Sequence, residues 1–254
     1  MDPRRRRISR RRRRRRGTLV ILFLLAATAG IFYGLNSPYF HLARVEINGL
    51  QHLGEEEVLE WTSLQAEVSL WRISTAQVAA RLESHPRIAG AQVTRRWPDT
   101  LVIHLMERRP VVYVAYHDLW LALDDAGIPF ALETDPPGDV LRLEGLGLVD
   151  QPLGSPLPAG SRGPVLCALL VAQFGMDWVR RITVQESGEL VLWLEHDVPA
   201  RLDGSEDLLR SQLAVLAALW EQWRDQAGQV SYFDVRNPQR PAVKVPDDPG
   251  GGDR

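Results

Sequence analysis

The chain has 254 residues, 45% hydrophobic and 24% charged, with one cysteine and a formal net charge of −2. A single thiol excludes an intramolecular disulfide framework, so the fold must stand on its apolar core. The small net charge conceals a split: eleven arginines against the lone acid Asp2 give residues 1–16 a charge of +10, while the remaining 19 basic and 31 acidic residues give −12. An acidic body argues against a nucleic-acid partner.

The arginines stand as Arg4–Arg7 and then Arg10, Arg11, Arg12, Arg13, Arg14, Arg15 and Arg16, and an uncharged apolar run over 18–35 follows at once. As a helix that run rises about 27 Å, close to the ~30 Å hydrocarbon core of a bilayer. Guanidinium groups do not cross a membrane cheaply, so the expectation is a cytoplasmic arginine-rich tail over 1–17, touching anionic phospholipid, and a single transmembrane helix over 18–35. Everything after it then lies outside the cytoplasm. Two other readings compete. Ala27-Thr28-Ala29 has the small residues of a signal-peptide cleavage site, although the hydrophobicity continues through Ile31, Phe32, Tyr33 and Leu35. The arginine block also has the composition of a nucleic-acid arm.

Beyond the span, Val45 and Ile47 alternate with Arg44, Glu46 and Asn48 as in a strand, and Asn48-Gly49 turns the chain. Residues 54–63 predict a short helix whose first turn carries Glu55, Glu56 and Glu57, suited to the positive end of its dipole rather than to a metal. Ser74 with Gln77 three residues on matches a capping box for a second helix, which His85-Pro86 stops. Two strands follow, with Ala89, Ala91 and Val93 on one face of the first and Leu101, Ile103 and Leu105 on one face of the second, joined by the turn Trp97-Pro98-Asp99. The predicted order is β-α-α-β-β.

Val45-Glu46-Ile47-Asn48-Gly49, Pro86-Arg87-Ile88, the run from Ala91 to Ile103 with Arg96-Trp97-Pro98-Asp99-Thr100-Leu101, and Glu107-Arg108-Arg109-Pro110 occur in order and at the spacing of a family pattern. On these motifs the chain resembles the FtsQ/DivIB family of bacterial cell-division proteins, whose first exported module is a POTRA domain. The resemblance implies an α+β protein: a POTRA domain over 40–110, then a β domain over 111–245.

Past Pro110, residues 111–116 and 119–123 predict strands, and Asp124-Asp125-Ala126-Gly127 a turn into a hairpin partner over 128–132. The paired aspartates fit a turn better than acid–base chemistry. Residues 135–163 are rich in proline and glycine and read as a loop. Pro164 opens a buried helix to Phe174 that includes Cys167, read as a small apolar residue. Strands are predicted over 181–185, 190–194 and 198–202. A long helix follows over 205–227, stopped by Gly228, with Leu209, Leu213, Leu216, Trp220 and Trp223 on one face and packed onto its own sheet. Closing strands cover 230–235 and 242–245, and residues 246–254 read as a disordered tail.

The ending also resembles the FtsQ/DivIB family, with Phe233-Asp234-Val235-Arg236 followed by Ala242-Val243, although Asn237 stands where the family has tyrosine. The resemblance implies that the terminal strand takes up a strand of an FtsB-type partner, itself associated with an FtsL-type protein. The site residues it implies are Tyr232, Phe233, Asp234, Val235, Arg236, Ala242, Val243, Lys244 and Val245. It also implies contacts of the POTRA domain with other division proteins, and residence in the inner membrane at the septum.

No catalytic constellation emerges. The six histidines are scattered, and the sequence has no G-x-S-x-G, P-loop or C-x-x-C. No cofactor, metal site or catalytic residue is expected. The predicted function is a scaffold that links division proteins and septal peptidoglycan synthesis. Its rivals are an exported, signal-cleaved hydrolase and a POTRA protein of transport or assembly.

Overall fold

The computed structural model describes residues 20–30, 32–34, 37–64 and 68–245. The arginines Arg10–Arg16 and the tail expected over 246–254 lie outside the described residues. Of the expected membrane span, residues 20–30 and 32–34 are helical, while 18, 19, 31 and 35 lie outside the described residues. Among those described, no helix is long and apolar enough to cross a membrane. The chain forms two compact units. One takes the described residues up to Ser84 together with Ile88–Glu107, and the other takes His85–Arg87 and continues from Arg108.

The first unit runs β1 (Arg44–Asn48), α1 (Glu55–Thr62), α2 (Thr75–Glu83), β2 (Ile88–Arg96) and β3 (Thr100–Glu107). β3 is the central strand, parallel to β1 and antiparallel to β2. Its alternation places Leu101, Ile103 and Leu105 in a core with Val58, Val78 and Leu82 from the helices. Ser74 caps α2 by accepting a hydrogen bond from the Gln77 amide at 3.3 Å, as the capping box predicts. Glu55, Glu56 and Glu57 stand exposed in the first turn of α1. One expectation fails: Ala89 is exposed and Ile88 is buried, because a register shift between Ile88 and Gly90 reverses the side chains before Ala91 and Val93 resume the inward face. Gly49 holds φ +94°, and a Cβ there would lie 2.0 Å from the Leu105 carbonyl oxygen, so the turn after β1 admits only glycine.

The second unit is built on a nine-stranded mixed sheet. Its strands are β4 (Val112–Tyr116), β5 (Leu119–Leu123), β6 (Pro129–Glu133), β7 (Leu141–Glu144), β8 (Val179–Val184), β9 (Leu190–Leu194), β10 (Pro199–Leu202), β11 (Tyr232–Asp234) and β12 (Ala242–Lys244), in the order β12-β11-β10-β9-β8-β7-β4-β5-β6. Two helices, α3 (Arg162–Gln173) and α4 (Glu206–Trp223), pack on one face. Leu209, Leu213, Leu216 and Trp220 of α4 are buried there and Trp223 is partly buried, so the stripe does face its own sheet. Cys167 is fully buried in the same core, and burial pushes its thiol up to about 12.

Two expectations need correction here. The segment 135–163 is not all loop: β7 lies within it and pairs in parallel with both β4 and β8, joining the halves of the sheet. Gly145 follows at φ +87°, where a Cβ would sit 2.4 Å from the Val184 carbonyl oxygen, so close approach to β8 requires glycine. The long helix also stops earlier than expected. Residues Arg224–Gln229 tighten into 3-10 turns, drawing Ala227 into the core at 2% exposure.

The Glu107-Arg108 pair divides its two charges between separate tasks. Glu107 Oε1 accepts from the amides of Gln51 at 2.7 Å and Leu53 at 3.3 Å, and Oε2 from His52 at 3.0 Å. Burial works to raise the pKa of Glu107, but these amide donors outweigh it and hold the carboxyl below its ordinary value. Arg108 donates from Nε to the Pro86 carbonyl at 3.0 Å and pairs with the buried carboxylate of Asp124. Asp124 Oδ1 accepts from the amides of Ala126 at 3.0 Å and Ile128 at 2.8 Å, the turn-forming role expected of it.

A carboxyl with a depressed folded pKa stabilises the fold above its unfolded value near 4.3, and that contribution is lost as pH falls through the lower folded value. Glu107→Gln is therefore expected to cost the first unit roughly 1–3 kcal/mol at neutral pH. The gap from wild type should narrow below pH ~4, read by denaturant unfolding across pH. A gap independent of pH contradicts the charge-based role.

Candidate functional site

Among the described residues β12 has one sheet neighbour, β11, so one side of its backbone is an open edge. The ladder pairs Tyr232 with Lys244, Phe233 with Val243 and Asp234 with Ala242, and β11 runs parallel to β10 through Ala200–Phe233 and Arg201–Asp234. Paired residues share a face. Phe233 and Val243 therefore point to the helical core, and Tyr232, Asp234, Ala242 and Lys244 point the other way.

This geometry sorts the nine residues expected to receive a partner. Phe233 and Val235 are both 0% exposed and anchor the hairpin, so no partner side chain reaches them. Ala242, Lys244, Val245 and Arg236 are exposed, while Tyr232, Asp234 and Val243 are partly buried. The strands are also shorter than expected: Val235 and Arg236 lie past the end of β11, and Val245 past the end of β12.

Four residues outside the expected set position this edge. Phe233 meets Trp220 of α4 edge-to-face at 6.4 Å, and Trp220 stacks on Trp178 at 5.0 Å. Gln212, fully buried on the inner side of α4, donates from Nε2 to the Arg236 carbonyl at 2.9 Å. The Arg201 guanidinium lies 4.9 Å over the Tyr232 ring. Gln212 had a signal in the sequence, a polar residue between Leu209 and Leu213 on the apolar face. The others needed the sheet order.

Arg236 closes the arrangement. Its Nη2 donates to Asp234 Oδ2 at 2.6 Å and its Nε to Oδ1 at 3.0 Å, while Nη1 lies 3.6 Å from Glu189 Oε1. Hydrogen bonding from Arg236 holds the Asp234 carboxyl below its usual range. Asn237 then turns the chain: its Oδ1 accepts from the Gln239 amide at 3.0 Å and its carbonyl from the Arg240 amide at 3.0 Å. Asparagine is well suited to this position because its short side chain mimics a turn of backbone.

A small module with a three-stranded sheet and two helices, followed by a larger sheet with an open terminal edge, defines an α+β protein of two units. Residues 40–108 match the model of the POTRA domain, FtsQ-type. The chain is 31% identical over 231 residues to cell division protein FtsQ of Mycobacterium tuberculosis (strain ATCC 25618 / H37Rv), covering 87% of this chain and 67% of that protein. FtsQ of Mycobacterium leprae (strain Br4923) is 28% identical over 224 residues, covering 87% of this chain and 62% of that one. FtsQ of Myxococcus fulvus is 32% identical over 138 residues, covering 54% and 48%. The chain thus spans about half to two thirds of the length of these relatives. The solved extracytoplasmic domain of DivIB from Geobacillus stearothermophilus aligns with 48% of this chain and 98% of its own at a TM-score of 0.33 and 11% identity, a likeness that carries no argument. On the sequence relatives, the chain belongs to the FtsQ/DivIB family of bacterial cell-division proteins.

The Arg236 cluster generates a local prediction. Arg236→Ala is expected to loosen the hairpin over 232–244 by roughly 0.5–1 kcal/mol, a modest value because the guanidinium is half exposed and screened by solvent. Hydrogen exchange should show a rise of about two- to five-fold in amide exchange confined to that hairpin. Exchange unchanged there removes Arg236 from the edge's support.

Proposed function

We propose that this chain is a membrane-anchored division scaffold that joins early and late division proteins at the septum and recruits septal peptidoglycan synthesis through protein contacts, without chemistry of its own. The observation that carries the reading is the open edge of β12 in a member of the FtsQ/DivIB family. An unpaired row of backbone donors and acceptors takes up an extended segment, with alternate side chains reading its identity. The partner at that edge is an FtsB-type protein associated with an FtsL-type protein. Ala242, Lys244 and Val245 are its side-chain contacts, and Tyr232 and Asp234 stand on the same sheet face as Ala242 and Lys244. Other division proteins meet the POTRA unit.

The anchor is the apolar segment over 18–35, with the arginine tail against anionic phospholipid on the cytoplasmic side. Its support is the helix through Val20, Ile21, Leu22, Phe23, Leu24 and Leu25, where every one of six consecutive residues is 56–71% exposed. A helix apolar on all sides requires an apolar environment on all sides. Glu107, Tyr113, Cys167, Asp234 and Arg236 each serve a capping, pairing or core position, and none lines the clefts around Pro110, Val140 and Met176 or around Trp178, Glu195 and His196.

Fluorescence of an N-terminal fusion in dividing cells tests the whole reading. Full-length protein at midcell is expected. A uniform envelope signal, or a tag severed near Ala29, overturns it. The edge itself is tested by Val243→Pro, which removes an amide from the β12 backbone and fixes φ. Capture of an FtsB-type segment should fall at least about ten-fold, a loss of ~1.4 kcal/mol, while the POTRA unit keeps its protease resistance. Undiminished capture rules out strand addition at β12.

A further inference from the structure

The geometry points to a second membrane contact: an aromatic collar of Tyr39, Phe40 and Trp97 that rests in the headgroup layer of the bilayer, an inference that builds on the anchor reading above. The collar begins where the apolar helical segment ends. The Ser37 amide donates to the Gly34 carbonyl at 3.1 Å, and Ser37 then caps a 3-10 turn over Pro38–Phe40. Five residue steps from Gly34 to Tyr39 reach at most about 17 Å even when extended, and this turn shortens the path. The headgroup layer beyond each side of the hydrocarbon core is about 5–8 Å thick. The Gly34–Ser37 bond and the 3-10 turn fold this path well below its extended limit, which brings Tyr39 and Phe40 within reach of the headgroup layer.

The tip of the β2–β3 hairpin is brought to the same place. The amides of Ala43 and Arg44 both donate to the Asp99 carbonyl, at 2.9 and 3.3 Å. Phe40 packs edge-to-face between Tyr39, at 5.2 Å, and Trp97, at 5.9 Å. The outer rings remain open to solvent, with Tyr39 67% and Trp97 51% exposed. Neither Tyr39 Oη nor Trp97 Nε1 hydrogen-bonds to another described residue. An apolar ring with a polar handle left free is the chemistry that the membrane interface favours. Arg44 and Arg96 border the cluster with side chains 70% and 56% exposed. Arg96 pairs directly with Glu46, while Arg44 lies 3.8 Å from Asp99 and is the freer of the two to meet a lipid phosphate. The occupant is therefore an anionic phospholipid surface, and the collar fixes the POTRA unit against it.

The test uses the full chain in vesicles of phosphatidylcholine and phosphatidylglycerol whose acyl chains carry bromine near the glycerol, a contact quencher of tryptophan. Alkaline carbonate extraction of the same vesicles reports the anchor separately. The chain has eight tryptophans, so Trp97 is read by difference. Carbonate resistance, with the quenchable emission reduced at least two-fold by Trp97→Phe and unchanged by Trp193→Phe, is the expected result. Carbonate resistance with quenching unaffected by Trp97→Phe overturns the collar, leaves the anchor standing and marks the aromatic cluster as a surface for a protein. Extraction by carbonate overturns the anchor, and the collar falls with it.

Discussion

Strands of three residues cannot hold a sheet edge by their own hydrogen bonds, and the terminal edge depends on the burial of Phe233 beneath Trp220. Each ladder bond contributes a net ~0.5–1.5 kcal/mol, whereas burying one phenylalanine contributes ~1.5–3 kcal/mol and its ring contacts add to that. The stack of Trp178 and Trp220 gives Phe233 a rigid ceiling, and Gln212 fixes the chain three residues later through the Arg236 carbonyl. The interior therefore orders β11, and β11 presents β12 with its outer side unpaired. An edge left open on its outer side has to be held from within, since no strand supports it from outside.

The two ends of the large sheet are handled differently. At the far end β6 opens with Pro129, and the Pro129 carbonyl is occupied by the Gly154 amide at 2.7 Å. Proline at a strand start and a loop over the edge both discourage pairing. At the near end β12 carries Lys244 and is bracketed in sequence by Pro241 and Pro246. These residues limit the length of an added strand without closing the edge.

Most of the first unit was legible in the sequence because its determinants are local. Alternation along β3, the Ser74 cap and the turn at Gly49 each involve residues close together or a residue type with a single conformational use. Ala89 was misplaced because a bulge reverses a face without leaving a mark in composition. In the second unit β7 escaped because it has only four residues in a stretch dominated by proline and glycine. Its identity comes from parallel neighbours far away in sequence, β4 and β8. The candidate site was half legible. The terminal strands were placed, but alternation alone does not say which face of a hairpin meets the core. Pairing with β10 decides that Phe233 turns inward, with Val235 buried just beyond it, and that Tyr232, Asp234, Ala242 and Lys244 turn outward.

The face of the large sheet opposite the helices carries arginine side chains laid over its aromatic rings. Between the buried Leu141 and Leu143, Arg142 faces outward and lays its guanidinium 5.3 Å from the Trp120 ring. Arg181 covers Trp193 at 5.1 Å and Arg201 covers Tyr232 at 4.9 Å. Each pair hides apolar ring area under a solvated charge, and each cation–π contact contributes ~0.5–1 kcal/mol where exposed. Glu144 lies 3.9 Å from Arg181, and Asp234 pairs with Arg236, so part of the charge on this face is paired locally. Unmet backbone bonding capacity lies at the edges of this sheet, and at β12 no other described strand lies on the outer side. The face beside the β12 edge adds little to strand pairing there, because its aromatic rings already lie under guanidinium groups.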